Sequence, residues 1–409
     1  MKVAFVSPNR HAGNARPPLG LLSLASVCRY FGYEADIIDA DLLGLEVETL
    51  LPKLLIYDII ALTAMTSTID EAIKIATAVR SSYPDKIIII GGVHASIFPK
   101  QLTHTTLFDA VVVGEGEHEI ITILQLLKED HMALGRWVAA KPVDMTTVPL
   151  PDYSLIDFNA YIPRYPHGIR RPWTCISTSR GCPYQCTFCC RSVFGSQYRA
   201  YPADRVIELI SGLCSNFGLR DITFYDDEFT IDRRRVLSIC AGIKEFGLTW
   251  TCEARVNLVD RELLDAMGQA GCRLINFGIE SGSQQLIDHL NKRITKPEVR
   301  RAVEQTHAAG IEASGYFMLG IEGETRDTVE ETISFAQELR LDHAQFSICT
   351  PLPGSTMFQD YVHAGGKVIG QYLGGGASPV FTNQTMPADY IVRKVEEANL
   401  LFFKVVNKV

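Results

Sequence analysis

Ser179 to Cys190 reads SRGCPYQCTFCC, which places four of the chain's eleven cysteines within nine positions. Thiolates at short spacing in a loop bind metal or do redox chemistry. Cys182, Cys186 and Cys189 stand at C-x3-C-x2-C, and Cys190 follows directly. A zinc site wants a second C-x2-C or H-x3-H pair downstream, but the remaining cysteines are single and His289, His307 and His343 stand alone. A closed ferredoxin-type cluster wants the spaced fourth cysteine of its own motif. Side chains of adjacent loop residues diverge, so Cys190 reads as a buried or substrate-facing thiol. Whether the loop closes a four-ligand site or holds a cluster with one open corner stays open on spacing alone.

The surrounding elements must hold this loop. Short apolar runs alternate with amphipathic stretches from the start: KVAFVS (2–7), EADIID (34–39), DIIALT (58–63), KIIIIG (86–91) and DAVVVG (109–114). Continuous β-rich runs suit strands covered on both faces. Between them, residues 68–83 place Ile69, Ala72, Ile73, Ala76 and Val79 on one helical face. Five strands in this rhythm predict a doubly wound parallel sheet over residues 1–130. Prolines without sustained period predict a linker over 131–172. From Trp173, six further strand-like runs alternate with helical patterns to about residue 358, which predicts a partial (β/α)6 barrel. Residues 359–409 read as a tail with a packing helix on Ile391, Val395, Ala398, Phe402 and Val405, preceded by a GGGA connector at 374–377. The fold class is therefore α/β.

Over 409 residues the formal charge is −8, against the basic footprint of a nucleic-acid binder. No apolar run reaches the ~20 residues of a membrane span. The opening MKVAFVSP reads as a strand and not as a secretory leader. An odd number of scattered cysteines does not suit a secreted disulfide framework. A reducing, cytoplasmic location is the expectation.

The cysteine loop follows the strand TCISTSRG directly, where a parallel β/α fold places its reactive groups. C-x3-C-x-aromatic-C, with Phe188 in the aromatic slot, resembles the signature of the radical S-adenosylmethionine (SAM) superfamily. The resemblance implies a [4Fe-4S] cluster on Cys182, Cys186 and Cys189, with the fourth iron taken by SAM. Reductive cleavage would then give a 5′-deoxyadenosyl radical. ITFYDDEF resembles the second-strand segment, with Asp226, Asp227 and Glu228 at the SAM ammonium; aspartates replace its two glycines, as in the subgroup that also binds cobalamin. TCEARVN ends the third strand with Arg255, a candidate bidentate partner of the SAM carboxylate. Glu280 and Ser281 in INFGIESGS would reach the ribose, and GYFMLGIEGET and TPLPGS, the latter with Pro351, would line the adenine. The resemblance spans residues 173–358.

The first domain resembles the cobalamin-binding domain that precedes such barrels. That implies corrinoid contacts from Thr63, Thr66 and Ser67, and from Gly91, Gly92, Gly114, Glu115 and Gly116. GEGEHE lacks the third glycine of a dinucleotide fingerprint and comes at the fifth strand, so NAD is rejected. NRHAGN offers Asn9, His11 and Gly13 against the D-x-H-x-x-G pattern that places histidine under cobalt. Without the aspartate His11 lacks its orienting partner, and cobalt without a histidine lower ligand is expected.

The family implies a cobalamin-dependent radical SAM enzyme, with C-methylation of a small-molecule or lipid-like substrate as the leading activity. Ring closure or rearrangement without methyl transfer is the alternative. A non-catalytic iron–sulfur and corrinoid binding or sensing protein is a third reading, from another class. The methylthiotransferase form is disfavoured, because the first 174 residues hold only Cys28 and that form carries three further cluster cysteines there. An electron donor such as flavodoxin or ferredoxin is the implied partner. Tyr184, Gln185, Cys190, Tyr316 and Cys349 are candidates for the cavity wall.

Overall fold

The structure is a computed structural model, and it describes residues 1–11, 15–129, 137–164, 170–366 and 386–402. Gly13, the GGGA connector and Val405 lie outside the described residues. The chain divides into two compact units. One comprises residues 1–181 and 192–221, the other residues 182–191 and 222–409.

In the first unit the apolar runs become β1 (Lys2–Ser7), β2 (Glu34–Asp39), β3 (Ile59–Thr63), β4 (Ile87–Gly91) and β5 (Ala110–Val113). They form a parallel sheet in the order β2-β1-β3-β4-β5-β6, where β6 is Trp137–Ala139. This is a doubly wound arrangement whose order reverses beside β1, the place where such sheets bind ligands at their carboxyl ends. Helices α1 (Leu19–Tyr30), α2 (Ile69–Ser82) and α3 (Glu117–Lys128) cross between strands. On α2 the buried positions are Ala72, Ile75, Ala76 and Val79. They pack with Ile60, Leu62, Ile88 and Ile90 of the sheet in one core.

The sequence predicted five strands here, and β6 is the sixth. It lies in the stretch predicted as a linker. Three residues are too short to show a period, and β6 takes its conformation from pairing with Val111, Val112 and Val113.

From Trp173 the predicted alternation is present. Strand β7 (Trp173–Ile176) and the short ladder of β8 (Ser179–Arg180) with β9 (Arg199–Ala200) belong to the first unit. In the second unit β10 (Asp221–Phe224), β11 (Thr249–Ala254), β12 (Cys272–Glu280), β13 (Glu312–Leu319) and β14 (His343–Ile348) lie side by side in chain order. The pairs β11–β12, β12–β13 and β13–β14 are parallel. Helix starts are set locally: Asp260 caps Arg261–Gln269, and Thr295 with Glu298 forms a capping box for Lys296–Ala308. The terminal helix Ala388–Phe402 buries Ile391, Val395 and Ala398, as its spacing predicted. No helix among the described residues is long and apolar enough to cross a membrane.

Candidate active site: the cysteine loop and a glycine-walled cavity

Cys182, Cys186 and Cys189 lie together on one loop of the second unit. The loop is fixed by its backbone. Thr187 donates its N–H to the Leu290 carbonyl at 3.0 Å, and the Thr187 carbonyl accepts from Met357 at 2.8 Å. Asn291 Nδ2 donates to the Gln185 carbonyl at 2.7 Å. Phe188 packs against Leu286, Leu290, Ile321 and Cys349, with Met318 and Met357 beside it.

Two buried cations back the thiols. Arg255, at the end of β11, is 5% exposed. Its Nη1 donates to Cys186 Sγ at 3.6 Å, and its guanidinium lies 3.8 Å from the centre of the Tyr184 ring. Its Nη2 donates to the Lys292 carbonyl, and Nε is buried without a hydrogen-bond partner. Each fork nitrogen gives one bond, so Nε and the second hydrogens of Nη1 and Nη2 are left for an incoming carboxylate. Lys292 is the residue that sequence reasoning missed. It stands in LNKR (290–293), where a lysine reads as solvated surface, and only the fold buries it. Its Nζ donates to Glu280 Oε1 at 2.6 Å and lies 5.7 Å from the Phe188 ring centre.

These charges act on the thiols. A hydrogen bond from Cys189, with Lys292 and Arg255, draws the Cys186 thiol down to about 6 against the opposing effect of burial. The same hydrogen bond raises Cys189, and burial raises Cys182. Among the described residues no three His, Cys, Asp or Glu side chains converge as ligands of one ion. A cubane instead takes one thiolate per iron at separate corners. The thiols of Cys182, Cys186 and Cys189, with cationic support, fit that donor set.

The other expected SAM contacts are distributed unevenly. Glu228 is buried, and burial raises its carboxyl although Thr230 donates to it. Asp226 is buried, Asp227 is exposed, and Pro351 is buried. Glu280 has a positive φ of 72° and binds Lys292. Ser281 is fully buried, and its hydroxyl bonds Thr332 at 3.1 Å and accepts from the Ser283 N–H at 3.1 Å. That hydroxyl shapes the turn. Gly278 is needed for space: a Cβ there would lie 2.5 Å from Lys292 Nζ and 2.6 Å from Glu280 Oε1. Cys190 is half-buried.

In the first unit a cavity of about 180 Å³ opens at the strand ends. Its walls include Leu62, Thr63, Ile89 and Val112, and the glycines Gly91, Gly92, Gly114 and Gly116. Bare backbone along this wall suits a bulky planar or apolar ligand. Gly92 has φ 91°, and a Cβ on it would lie 2.7 Å from Thr63 Oγ1. Thr66 Oγ1 is 3.4 Å from His94 Nδ1, and Ser67 is exposed.

Glu115 lines the cavity, but its carboxylate is committed: Arg180 lies at 2.7 Å and Arg199 at 2.5 Å. Arg180 also binds Glu117 at 2.6 Å. Burial pushes the Glu117 carboxyl up, and the Arg180 charge outweighs it to leave it below the usual range. His11 is exposed, with Nδ1 at 3.8 Å from Glu46.

The family model of the Radical SAM superfamily matches residues 176–336, and that of the B12 binding domain matches residues 9–124. An uncharacterized methyltransferase of Pyrococcus horikoshii is 34% identical over 386 residues, covering 88% of this chain and 83% of its own. The anaerobic magnesium-protoporphyrin IX monomethyl ester cyclase of Cereibacter sphaeroides is 31% identical, covering 88% of this chain and 63% of its own. The structure of the radical SAM methyltransferase TsrM from Kitasatospora setae, with cobalamin and a [4Fe-4S] cluster bound, shares the fold with a TM-score of 0.75. It is 18% identical and covers 89% of this chain and 75% of its own. An open three-thiol loop on a parallel β/α unit, a glycine-walled cavity on a doubly wound unit and these matches have one reading: the chain belongs to the cobalamin-binding-domain-containing radical SAM enzyme family.

Proposed function

We propose that the protein is a cobalamin-dependent radical SAM methyltransferase acting on an unactivated carbon of a small molecule. The observation that carries this is the Cys186 thiol held between Cys189, Arg255 and Lys292, on the loop that also bears Cys182. Cys182, Cys186 and Cys189 would hold the cluster, and the Gly91, Gly92, Gly114 and Gly116 wall would receive the corrinoid. When bound, these groups supply the electron for SAM cleavage and the methyl group for transfer. The chain's own residues bind, orient and shield. Arg255 and Lys292, both buried, offset negative charge on the thiolates, most directly on the buried Cys186. Arg255 Nε offers one N–H donor to an anionic group of SAM. Phe188 and its apolar neighbours anchor one side of the loop.

Methyl transfer is favoured by the methyltransferase relative, which this chain matches over 83% of that protein's length. Ring closure without methyl transfer is the second reading, supported by the similarity to the cyclase. A flavodoxin or ferredoxin in a reducing cytoplasm would supply electrons. The test is turnover of a cell extract with methyl-deuterated SAM. A product carrying the intact deuterated methyl group supports transfer, and a product that has lost hydrogen without label supports cyclisation.

A further inference from the structure

The neighbouring strands β11, β12 and β13 carry polar side chains that meet one another. Arg255 directly follows β11, Gly278 lies on β12 and Met318 on β13. Two residues earlier on each strand, on the same face, stand Glu253, Asn276 and Tyr316. Register pairs Glu253 with Asn276, whereas Tyr316 pairs with Gly278 and reaches Glu253 through its long side chain. Tyr316 Oη donates to Glu253 Oε1 at 3.2 Å, and Asn276 Nδ2 donates to the same oxygen at 3.3 Å.

Both donors are neutral, and both serve Oε1. Glu253 has no ion-pair partner within 4 Å among the described residues, unlike Glu115, Glu117 and Glu280, each of which has a buried cation. Each of the three residues stays half-buried, so the group borders accessible space and is not closed by packing. An enclosed carboxylate without a cation is costly unless one arrives.

We propose that Glu253, held by Asn276 and Tyr316, is a substrate-binding carboxylate that takes the protonated amine of an amine-bearing substrate at Oε2. The substrate class follows from the charge: a cation restores what the site lacks, whereas an acid would be repelled. Burial pushes the Glu253 carboxyl up to about 7; Tyr316 and Asn276 oppose this, Glu228 adds to it and Lys292 opposes it. An ammonium group would therefore bind better as pH rises through that value.

This rests on the proposed enzymatic reading but is tested without turnover. Benzylamine and its neutral counterpart benzyl alcohol are titrated, by calorimetry at pH 8, into the full-length protein without SAM or reductant. The wild type is expected to bind benzylamine about tenfold tighter than benzyl alcohol, the value of one charge-assisted hydrogen bond. Glu253→Gln is expected to bind the two alike, and Glu253→Asp to retain part of the preference. Should Glu253→Gln not fold, Tyr316→Phe, which leaves Oε1 with one donor, is expected to move the pH midpoint of benzylamine binding upward. Equal binding of the two probes by the wild type, the same preference in Glu253→Gln, an unmoved midpoint in Tyr316→Phe, or no binding of benzylamine overturns the proposal. Failure of the radical reading would show separately, as absence of SAM cleavage with the amine preference intact.

Discussion

Lys292 Nζ meets Glu280 Oε1 at 2.6 Å inside the second unit, in the space that a side chain at position 278 would fill. The pair explains a glycine in mid-strand, where glycine costs stability. It also supplies a buried cation over the Phe188 ring, whose charge lowers the Cys186 thiol. Lys292→Met removes one partner and leaves a buried carboxylate alone. The expected loss is about 3–5 kcal/mol, read by urea unfolding, and Gly278→Ala is expected to be destabilising by displacing the same pair.

The thiols separate by role. Cys189→Ser is expected to lose the broad visible absorbance of the reconstituted cluster, as are Cys182→Ser and Cys186→Ser. Cys190→Ser is expected to keep it. Iron and sulfide content per chain checks each variant.

At the glycine wall, Gly92→Ala places a Cβ 2.7 Å from Thr63 Oγ1 at a φ that L side chains rarely adopt. The expected cost is about 1–3 kcal/mol, together with weaker retention of hydroxocobalamin through gel filtration. Gly20→Ala, which meets nothing within 4 Å, is the control for stability.

Glu253 gives a pH signature of known sign. Its folded carboxyl keeps its proton up to about 7, against an ordinary value of 4.5. The folded state therefore binds the extra proton between these values. Stability relative to Glu253→Gln is full below pH 4.5, is lost as pH rises toward 7 and stays lost above it. Glu253→Gln is thus expected to be more stable than wild type at pH 8, by no more than about 3 kcal/mol, and to match it near pH 4. Paired denaturation curves at the two pH values check this. A residue that costs stability is what a binding function leaves behind.

The sequence made legible whatever a period or a spacing encodes. Buried strands such as KVAFVS and KIIIIG announced the first sheet, and C-x3-C-x2-C announced the loop. It concealed what depends on register between distant strands. Lys292 lies twelve residues beyond Glu280 and reads as surface until β12 and its loop bury it. Glu253, Asn276 and Tyr316 come from three strands, and only parallel pairing brings them together. The partners of the Glu115 and Ser281 side chains, Arg180 with Arg199 and Thr332, come from distant segments that no motif links to them. Strand β6 was hidden because three residues carry no pattern.

The most direct test of the central claim is the fate of SAM. The protein is reconstituted anaerobically with iron, sulfide and hydroxocobalamin, reduced with dithionite and given SAM, and 5′-deoxyadenosine is quantified by mass spectrometry. The nucleoside is expected to form with the wild type and to be absent with each of Cys182→Ser, Cys186→Ser and Cys189→Ser. A wild-type protein that carries its full complement of iron and sulfide yet releases no 5′-deoxyadenosine would contradict the account.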